Sequence, residues 1–455
     1  MRICIDGDDS VAFRLAEALM QQHEVTLVVP EEMPDVDLDQ LEVRLVRGST
    51  ISGETLKEAG VEDAGLFVAC SVLDERNLVA CAEAKRLGAR QVTCFLRRHE
   101  VQSSEAEANS LARSLGIDSV VLPADRLARE ILKIVMVPGA LDVEAFEGGR
   151  VRLVKRRVEE GAYLTSGPLK EVGVPKGVVL VMGQRDDRIF IPDGDTAFRP
   201  GDKVIAMGTT AGMNRFLTRY LSPRRGGREE HRATVVGGGV VGFAVAKGLE
   251  DAGWRVKVIE QDERRCQEIA PRLKALVLHG DGTDLELLRE EHIGEDPVLI
   301  AVTSNDEKNL LVSLLAKQQG VARIITRADK PANELLFEDV GIDVVRSTLG
   351  AAVRAVVRKV DRRDRDLLAE FEHGEVRVLR LRVPEDFPPT PLAELQAPVF
   401  AIVGAILRNG EVIIPHGRDE VRGGDQLLVF VKAEGIEEAR RFFERVHPAR
   451  AHRDS

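Results

Sequence analysis

The sequence predicts an α/β protein with two doubly wound parallel sheets, each followed by a small α+β module. Apolar, strand-like runs alternate with helical patterns, and the run at Val235 passes through a glycine-rich turn into a helix. The same order of segments occurs twice along the chain. With 455 residues, of which 44% are hydrophobic and 31% charged, the chain suits about two to four folded domains.

Three stretches in the first half of the chain resemble three stretches in the second half. Gly7 corresponds to Gly237, which lies 230 residues later. Asn77 in "SVLDERNLVA" corresponds to Asn309 in "VTSNDEKNLLV", and "IPDGDTAFRPGD" corresponds to "IPHGRDEVRGGD". Because the matches keep one order and nearly one offset, the chain is predicted to be a duplication of a unit about half its length.

Changes in pattern along the chain predict where each domain begins and ends. The stretch "SPRRGGREEHRA" is rich in Gly, Arg and Glu and lacks apolar periodicity, so we expect an exposed linker there. The predicted segments are a parallel-sheet domain at 1–137, a small module at 138–222, a linker at 223–231, a parallel-sheet domain at 232–364, a small module at 365–447 and a tail at 448–455.

Six apolar runs in the second copy predict a parallel sheet that is covered by helices on both faces. These runs are "ATVVG", "RVKVIE", "ALVLHG", "VLIAVTS", "RIITRA" and "DVVRS". The helix after the last run carries one apolar stripe, made of Leu349, Ala352, Val353, Val356, Val357 and Val360. The equivalent helix of the first copy carries Leu127, Ile131, Leu132, Val135 and Met136. Each stripe packs either on its own sheet or on a partner domain, and periodicity leaves both open.

The small modules are short and rich in predicted strands. The strand candidates are "VRLVKRRV", "KGVVLVMGQRDDRIFIP" and "DKVIAMG" in the first copy and "VRVLRLRV", "FAIVGAILRNGEVIIP" and "DQLLVFV" in the second. The "RNGE" sequence between apolar runs predicts a hairpin turn. Each module ends in a helical pattern, so we predict two small α+β folds.

The turn at Gly237 has the spacing of a dinucleotide-binding loop. Gly237 suits the tight turn, Gly239 lets the backbone approach a pyrophosphate, and Gly242 lets the next helix pack closely on the strand. The N-terminus of that helix offers free N–H groups to phosphate. Glu260 ends the next strand, where a carboxylate accepts hydrogen bonds from ribose hydroxyls and repels a 2′-phosphate. We predict a Rossmann-like site that disfavours NADP and leaves NAD, ATP and ADP open.

Further polar residues end strands of the second copy at the carboxyl edge, where ligands of such sheets bind. Asp281 follows the third strand, Thr303 and Ser304 end the fourth, and Arg327 ends the fifth. We expect Asp281 to reach adenine or ribose. For each residue the alternative is a role in a turn or a helix cap, and the Asn-Asp pair after Ser304 is predicted to cap the next helix.

The equivalent loop of the first copy has lost this pattern. The positions that correspond to the three glycines and the carboxylate are occupied by Gly7, Asp9, Ala12 and Pro30. Two more carboxylates, Asp6 and Asp8, crowd the phosphate position, where each would repel a phosphate by about 1–4 kcal/mol at 4 Å. The first copy is therefore predicted not to bind a dinucleotide in this way.

Charge and composition exclude several classes of function. The net charge of −11 argues against a nucleic-acid-binding protein, which needs a basic surface. The five cysteines form no C-x-x-C pair and are predicted to be buried thiols. No apolar run of about 20 residues predicts a membrane span, and no pattern predicts a signal peptide or a metal site. A dehydrogenase needs an acid–base group such as His or Tyr near the nicotinamide, but the nine histidines are dispersed and there are only two tyrosines. We therefore predict no catalytic residue. A nucleotide site without catalytic groups is typical of a sensor.

These residues together resemble a known family. The glycine turn, Glu260, "GDGTD", "VTSNDEKN" with its twin "SVLDERN", and the paired "IPDGD" and "IPHGR" modules resemble tandem regulator-of-potassium-conductance (RCK, or KTN) domains. Their order resembles that of the TrkA family, the regulatory subunits of Trk-type potassium uptake systems. The family positions that match here are Gly237, Gly238, Gly239, Val240, Val241, Glu260, Asp281, Thr303, Ser304 and Arg327.

The resemblance implies a cytoplasmic protein, peripheral on the inner face of the plasma membrane, that regulates a membrane-embedded potassium-translocating subunit. It implies a homo-oligomer, a dimer or tetramer of tandem chains in a ring, assembled through crossing helices. NAD(H), or alternatively ATP or ADP, would bind the second Rossmann-like domain and change the ring. Two other hypotheses stay open at this point: an NAD-dependent dehydrogenase, and an RCK regulator whose ligand binds the small α+β modules.

Overall fold

Two six-stranded parallel sheets and two five-stranded antiparallel sheets form the framework of the protein, as the sequence predicts. The structure, a computed structural model, describes residues 1–20, 22–33, 41–49, 51–97, 105–186, 188–221, 231–361, 367–371 and 375–445. The predicted tail, and the predicted linker apart from His231, lie outside these residues. The exact domain boundaries stay predictions.

The first parallel sheet opens the chain. Its elements are β1 (Arg2–Asp6), α1 (Ser10–Met20), β2 (Glu24–Val29), β3 (Arg44–Arg47), α2 (Gly53–Glu58), β4 (Leu66–Ala69), α3 (Asp74–Leu87), β5 (Val92–Phe95), α4 (Glu105–Ser114), β6 (Ser119–Val121) and α5 (Pro123–Val135). The strand order is β3-β2-β1-β4-β5-β6, with parallel neighbours. The order reverses between β1 and β4, which is where doubly wound sheets bind ligands.

The first small module follows as an antiparallel sheet. Its elements are β7 (Ala140–Phe146), β8 (Val151–Arg157), α6 (Leu169–Val172), β9 (Val178–Arg185), β10 (Arg188–Phe190), β11 (Lys203–Thr209) and α7 (Thr210–Phe216). The strand order is β10-β9-β11-β8-β7. The predicted terminal helix is present as α7, which Thr209 caps by accepting the Gly212 N–H.

The second parallel sheet repeats the first. Its elements are β12 (Arg232–Val236), α8 (Val240–Asp251), β13 (Arg255–Glu260), α9 (Glu263–Ile269), β14 (Leu276–His279), α10 (Leu285–Glu290), β15 (Val298–Ala301), α11 (Asp306–Gln319), β16 (Arg323–Arg327), α12 (Pro331–Asp339), β17 (Val344–Arg346) and α13 (Thr348–Asp361). The strand order is β14-β13-β12-β15-β16-β17. All six predicted strands are present, and β15 is buried along its whole length because helices cover both faces.

The second small module repeats the first antiparallel sheet. Its elements are β18 (Leu367–Phe371), β19 (Val376–Arg382), β20 (Thr390–Pro391), β21 (Ala401–Arg408), β22 (Glu411–Ile413), β23 (Glu420–Val421), β24 (Gln426–Lys432) and α14 (Ile436–Arg445). The main sheet has the order β18-β19-β24-β21-β22. The predicted hairpin turn joins β21 to β22, with φ of 50° at Asn409 and 81° at Gly410.

The two parallel-sheet domains form one compact unit, Met1–Leu132 with Glu230–Lys359. Within it the last helix of the first copy contacts the second copy. A Cβ atom added at Gly248 of α8 would lie 2.4 Å from Leu132 Cδ1, so this glycine leaves room for the leucine. Glu130 of α5 also accepts a 2.5 Å hydrogen bond from Arg354 of α13. The α5 stripe thus packs, through Leu132, on a partner domain, which is the other copy of the same chain.

The two small modules form the second unit, Lys133–Glu229 with Val360–Ser455. Their sheets share one hydrophobic core, to which the first module contributes Phe146 and Met207 and the second contributes Phe371 and Phe430. Side chains from the inner faces of both sheets fill this core, as in other sheet-on-sheet packings.

The repeated "RPGD" and "RGGD" sequences of the small modules have a structural role. Arg185 donates two hydrogen bonds, of 2.8 and 2.7 Å, to the buried Asp202, and Arg408 makes the same pair with Asp425. Burial raises the pKa of Asp202, but the hydrogen bonds from Arg185 and from the Arg199 N–H outweigh it and hold this pKa below its usual range. The motif therefore fixes the turn before the last strand.

The five cysteines are buried free thiols, which confirms the prediction. Burial raises the pKa of Cys4 to about 12, so this thiol stays protonated at neutral pH. Among the residues described, no helix has the length and apolar character that crossing a membrane requires.

Asp202→Asn is expected to destabilise the first small module by about 1.5–3 kcal/mol, because it removes a charge-assisted pair from a buried site. Since folding lowers this pKa, the contribution is present above the ordinary Asp value of about 3.9 and is lost as the pH falls through the lower folded value. Amide hydrogen exchange of β11 at pH 7 measures the loss. Asp195→Asn is the control, because Asp195 pairs with Lys170 in solvent and should cost less than about 0.5 kcal/mol. Equal losses in the two variants would contradict this role.

Candidate functional site

The glycine turn of the second copy has the geometry that its spacing predicts. Gly237 has φ of 102°, which a residue with a side chain rarely adopts. A Cβ atom at Gly242 would lie 1.7 Å from the Gly237 carbonyl oxygen, so α8 packs directly on the turn. A Cβ atom at Gly239 would meet no described atom within 4 Å. The backbone at Gly239 therefore faces open space, as close approach to a phosphate requires.

The N-terminus of α8 points its free N–H groups towards the same space. Gly239 is the N-cap residue of α8 and supplies no side chain to satisfy them. Glu260, at the end of β13, lies beside the turn: its Oε2 accepts a 2.5 Å hydrogen bond from the Gly238 N–H, and its Oε1 accepts one of 2.8 Å from Asp262. The carboxylate is thus fixed where an adenosine ribose is bound in this fold.

A cavity of about 670 Å³ opens at this edge of the sheet, within the range of roughly 300–1,000 Å³ that small-molecule sites occupy. It is lined by nine of the predicted site residues, which are Gly237, Gly239, Val240, Val241, Glu260, Asp281, Thr303, Ser304 and Arg327. The other two predicted residues do not line it. Gly238 instead holds Glu260 through its N–H, and Gly242 has no side chain because the turn lies against it.

Asp281 lies in the cavity wall, in a turn of its own. Its Oδ1 accepts hydrogen bonds from the Thr283 N–H and hydroxyl, at 3.0 and 2.8 Å. Its Oδ2 accepts a 3.0 Å bond from Lys308, which also donates to Gln261. The bond from the Thr283 N–H, with those from Lys308 and the Thr283 hydroxyl, holds the pKa of Asp281 below its usual range. The carboxylate is ionised at neutral pH and can accept from adenine or ribose.

Lys308 is a cavity residue that the sequence analysis did not identify. It lies in the first turn of α11, and its side chain joins the segments that follow β13 and β14. Its counterpart in the first copy is Arg76, which pairs instead with Asp6 and Asp8, at 3.4 and 3.6 Å. The signal that could have identified it is the basic residue at matching positions of "DEKN" and "DERN".

Thr303 and its neighbours have the turn role that the sequence left as an alternative. The Thr303 N–H and hydroxyl donate to Asn309 Oδ1, at 2.9 and 2.7 Å, and Asn309 donates to the carbonyls of Thr303 and Arg327. Asn77 makes the equivalent bonds in the first copy. Asn305 caps α11 by accepting the Lys308 N–H, which confirms the predicted cap. The repeated asparagine thus joins two strand ends, while Thr303 and Ser304 still face the cavity.

Arg327 ends β16 and is paired within the cavity. Its guanidinium donates to Asp329 Oδ2, at 2.9 Å from Nε. Burial raises the pKa of Asp329, but Arg327 and the Thr348 N–H outweigh it and keep this pKa below its usual range. His279 lies outside the cavity lining and is in contact with the Gln261 carbonyl. In the described part of the chain, no group of three His, Cys, Asp or Glu side chains could hold a metal ion.

The first copy has a carboxylate where the second copy leaves its helix terminus open. Asp9 Oδ1 accepts a 3.0 Å hydrogen bond from the Val11 N–H at the start of α1. Asp9 Oδ2 accepts a 2.6 Å bond from Arg97, which follows β5. Gly7 also lacks the positive φ of Gly237, so the turn has another shape. An internal anion takes the position of a phosphate, which supports the prediction that the first copy does not bind a dinucleotide here.

Comparison with protein families finds two domain types, each occurring twice. The TrkA-N domain matches residues 3–123 and 233–348. The TrkA-C domain matches residues 153–220 and 378–444. The matches follow the order of the four sheets, so each half of the chain contains one domain of each type.

Relatives match over nearly the full length. A Trk system potassium uptake protein TrkA homolog of Archaeoglobus fulgidus is 32% identical over 446 residues, covering 97% of this chain and 100% of the relative. A Trk system potassium uptake protein TrkA of Haemophilus influenzae is 28% identical over 459 residues, covering 98% of this chain and 99% of the relative.

Solved structures share the fold. The GsuK channel aligns with a TM-score of 0.62 at 18% identity, covering 97% of this chain and 78% of the channel. The GsuK channel bound to NAD aligns with a TM-score of 0.61 at 19% identity, with the same coverage.

Two glycine variants test the geometry of the turn. Gly242→Ala is expected to cost about 1–3 kcal/mol, because its methyl group would force α8 away from the Gly237 carbonyl. Gly239→Ala is the matched control: its methyl group meets open space, and the stability should change by less than about 1 kcal/mol. Hydrogen exchange of the α8 amides measures both. A destabilising Gly239→Ala beside a neutral Gly242→Ala would reverse the assignment.

Proposed function

This chain belongs to the TrkA family of Trk system potassium uptake proteins, and we propose that it senses an adenine nucleotide and thereby gates a membrane-embedded potassium-translocating subunit. Its relatives are potassium uptake proteins, and the chain is a regulatory protein of potassium transport rather than an enzyme. The dehydrogenase hypothesis is therefore wrong.

The cavity of the second copy carries the nucleotide proposal. It combines an open helix terminus at Gly239 with a fixed carboxylate at Glu260, and these two features bind pyrophosphate and ribose in this fold. Asp281 adds an ionised acceptor in the same wall. Two solved structures of the same fold are described as bound to NAD and to ADP. We propose NAD(H), or ATP or ADP, as the ligand at the second copy alone.

Gating requires that the ligand bind one arrangement of the domains more tightly than another. A difference of about 1–3 kcal/mol shifts the population some 5- to 150-fold. The cavity can supply such a difference, because both copies of the parallel-sheet domain line it. A ligand that contacts both walls stabilises the arrangement in which the walls are close, and α5 and α13, which join the copies, would carry the change.

We propose further that the chain acts as a homo-oligomer, a dimer or tetramer forming a ring, on the cytoplasmic face of the plasma membrane. Leucines are exposed on the equivalent helices of the two copies: Leu111 on α4 with Leu115 just after it, and Leu335 and Leu336 on α12. These leucines are about half exposed, from 41% to 57%. A duplicated apolar face suits a ring in which each domain meets the next.

Glu260→Ala tests the nucleotide site. Titration calorimetry with NAD, NADH, ADP and ATP is expected to show one site per wild-type chain and at least tenfold weaker binding in the variant, because the ribose loses its acceptor. Glu263→Ala, an exposed carboxylate of α9, is the control and should bind as wild type.

The same variants test the link to transport. In cells that carry the cognate membrane subunit but lack this chain, wild type and Glu263→Ala should restore nucleotide-dependent potassium uptake, and Glu260→Ala should restore uptake that no longer responds to the nucleotide. A nucleotide response that survives in Glu260→Ala would contradict the proposal.

Leu335→Asp with Leu336→Asp tests the ring. Two charges on this face should dissociate the oligomer, because an apolar contact cannot accommodate unpaired carboxylates. Light scattering after gel filtration measures the mass. Leu276→Asp, also an exposed leucine but on β14, is the control and should keep the wild-type mass. An oligomer that survives the double substitution unchanged would rule out this face.

A further inference from the structure

The cavity of the second copy is completed by the first copy. Six residues of the first copy line it, namely Asp9, Ser10, Val11, Arg97, Pro123 and Ala124. Glu260 and Asp281 account for the adenosine end of a ligand, and the turn at Gly239 accounts for its phosphates. Whatever extends beyond the phosphates therefore meets the remaining wall, to which the first copy contributes.

The first copy presents a fixed carboxylate at this wall. Asp9 is held through both oxygens, by the Val11 N–H at 3.0 Å and by Arg97 at 2.6 Å. Arg97 also donates a 2.6 Å hydrogen bond to the Cys70 carbonyl. The side chains of Asp9 and Arg97 are 21% and 24% exposed, so neither is free to swing into solvent. The positive charge of Arg97 is thus paired with the Asp9 carboxylate.

The other basic residues of the cavity are also ion-paired with carboxylates. Of the lining residues that the structure describes, Arg97, Lys308 and Arg327 are basic, and each is paired with an aspartate of the cavity. Glu260 adds one more carboxylate. Formal side-chain charges therefore leave the cavity with an excess of negative charge. Each of these three basic residues already has an aspartate as its ion-pair partner, so none offers an unbalanced positive charge to a long, highly charged phosphate tail.

We propose that Asp9 of the first copy makes the site of the second copy select a nucleotide whose far end is a ribose rather than a terminal phosphate. The inference rests on the proposed function and names its ligand class, a dinucleotide such as NAD. The Asp9 carboxylate accepts hydrogen bonds from the hydroxyls of the second ribose, as Glu260 does for the first. Towards the terminal phosphate of ATP it is repulsive, since two like charges about 4 Å apart oppose each other even in water.

Titration of NAD, ADP and ATP into wild type and Asp9→Asn tests this selection. In wild type, NAD should bind at least tenfold more tightly than ATP. In Asp9→Asn, ATP should bind at least fivefold more tightly than in wild type, because the repulsion is gone and Arg97 is released. ADP, which ends before this wall, should change less than twofold. Asn keeps an acceptor for the Val11 N–H, and the fluorescence of Trp254, the single tryptophan, checks that the variant is folded.

Asp8→Asn is the matched control. Asp8 pairs with Arg76 and does not line the cavity, so this variant should keep the wild-type ratio of NAD to ATP affinity. The inference is overturned if wild type binds ATP as tightly as NAD, or if Asp9→Asn leaves that ratio unchanged. In either case a site that still depends on Glu260 leaves the proposed function intact. If wild type binds none of the three nucleotides, both fail.

Discussion

The site depends on one close approach, that of α8 to the turn that precedes it. The backbone at Gly242 lies so near the Gly237 carbonyl that no side chain fits between them. This contact aims the helix terminus, with its unsatisfied N–H groups, into a cavity that Gly239 leaves open. In the first copy the Asp9 carboxylate satisfies the equivalent terminus. The same fold therefore leaves its helix terminus open to an external anion in the second copy and satisfies it with its own carboxylate in the first copy.

Local chemistry explains why so much of this site could be predicted from the sequence. Gly237, Gly239 and Gly242 are required by backbone geometry at fixed spacing, and Glu260 ends a strand whose length the apolar pattern defines. The doubly wound parallel sheet also followed, because buried parallel strands separated by helices leave few topologies. Gly238 was assigned to ligand contact by resemblance alone, and the structure shows its N–H bound to Glu260.

The remaining residues depend on packing between segments that are distant in sequence. Arg97 and Asp9 line a cavity whose glycine turn lies more than 100 residues later, and only the association of the two copies brings them there. The stripe that contains Leu132 could pack on its own sheet or on a partner. Its contact with Gly248 forms only because the two copies associate and place α8 opposite α5. Lys308 lies three residues after the cap Asn305, in a sequence typical of helix surface, and its role depends on the contact with Asp281.

Crystals grown with excess NAD provide the decisive test. They should contain one nucleotide per chain, with its pyrophosphate against Gly239, its adenosine ribose on Glu260 and its second ribose facing Asp9. The turn between Gly7 and α1 should hold no ligand. A nucleotide bound in that first turn, with the cavity at Gly239 left empty, would contradict the proposed site.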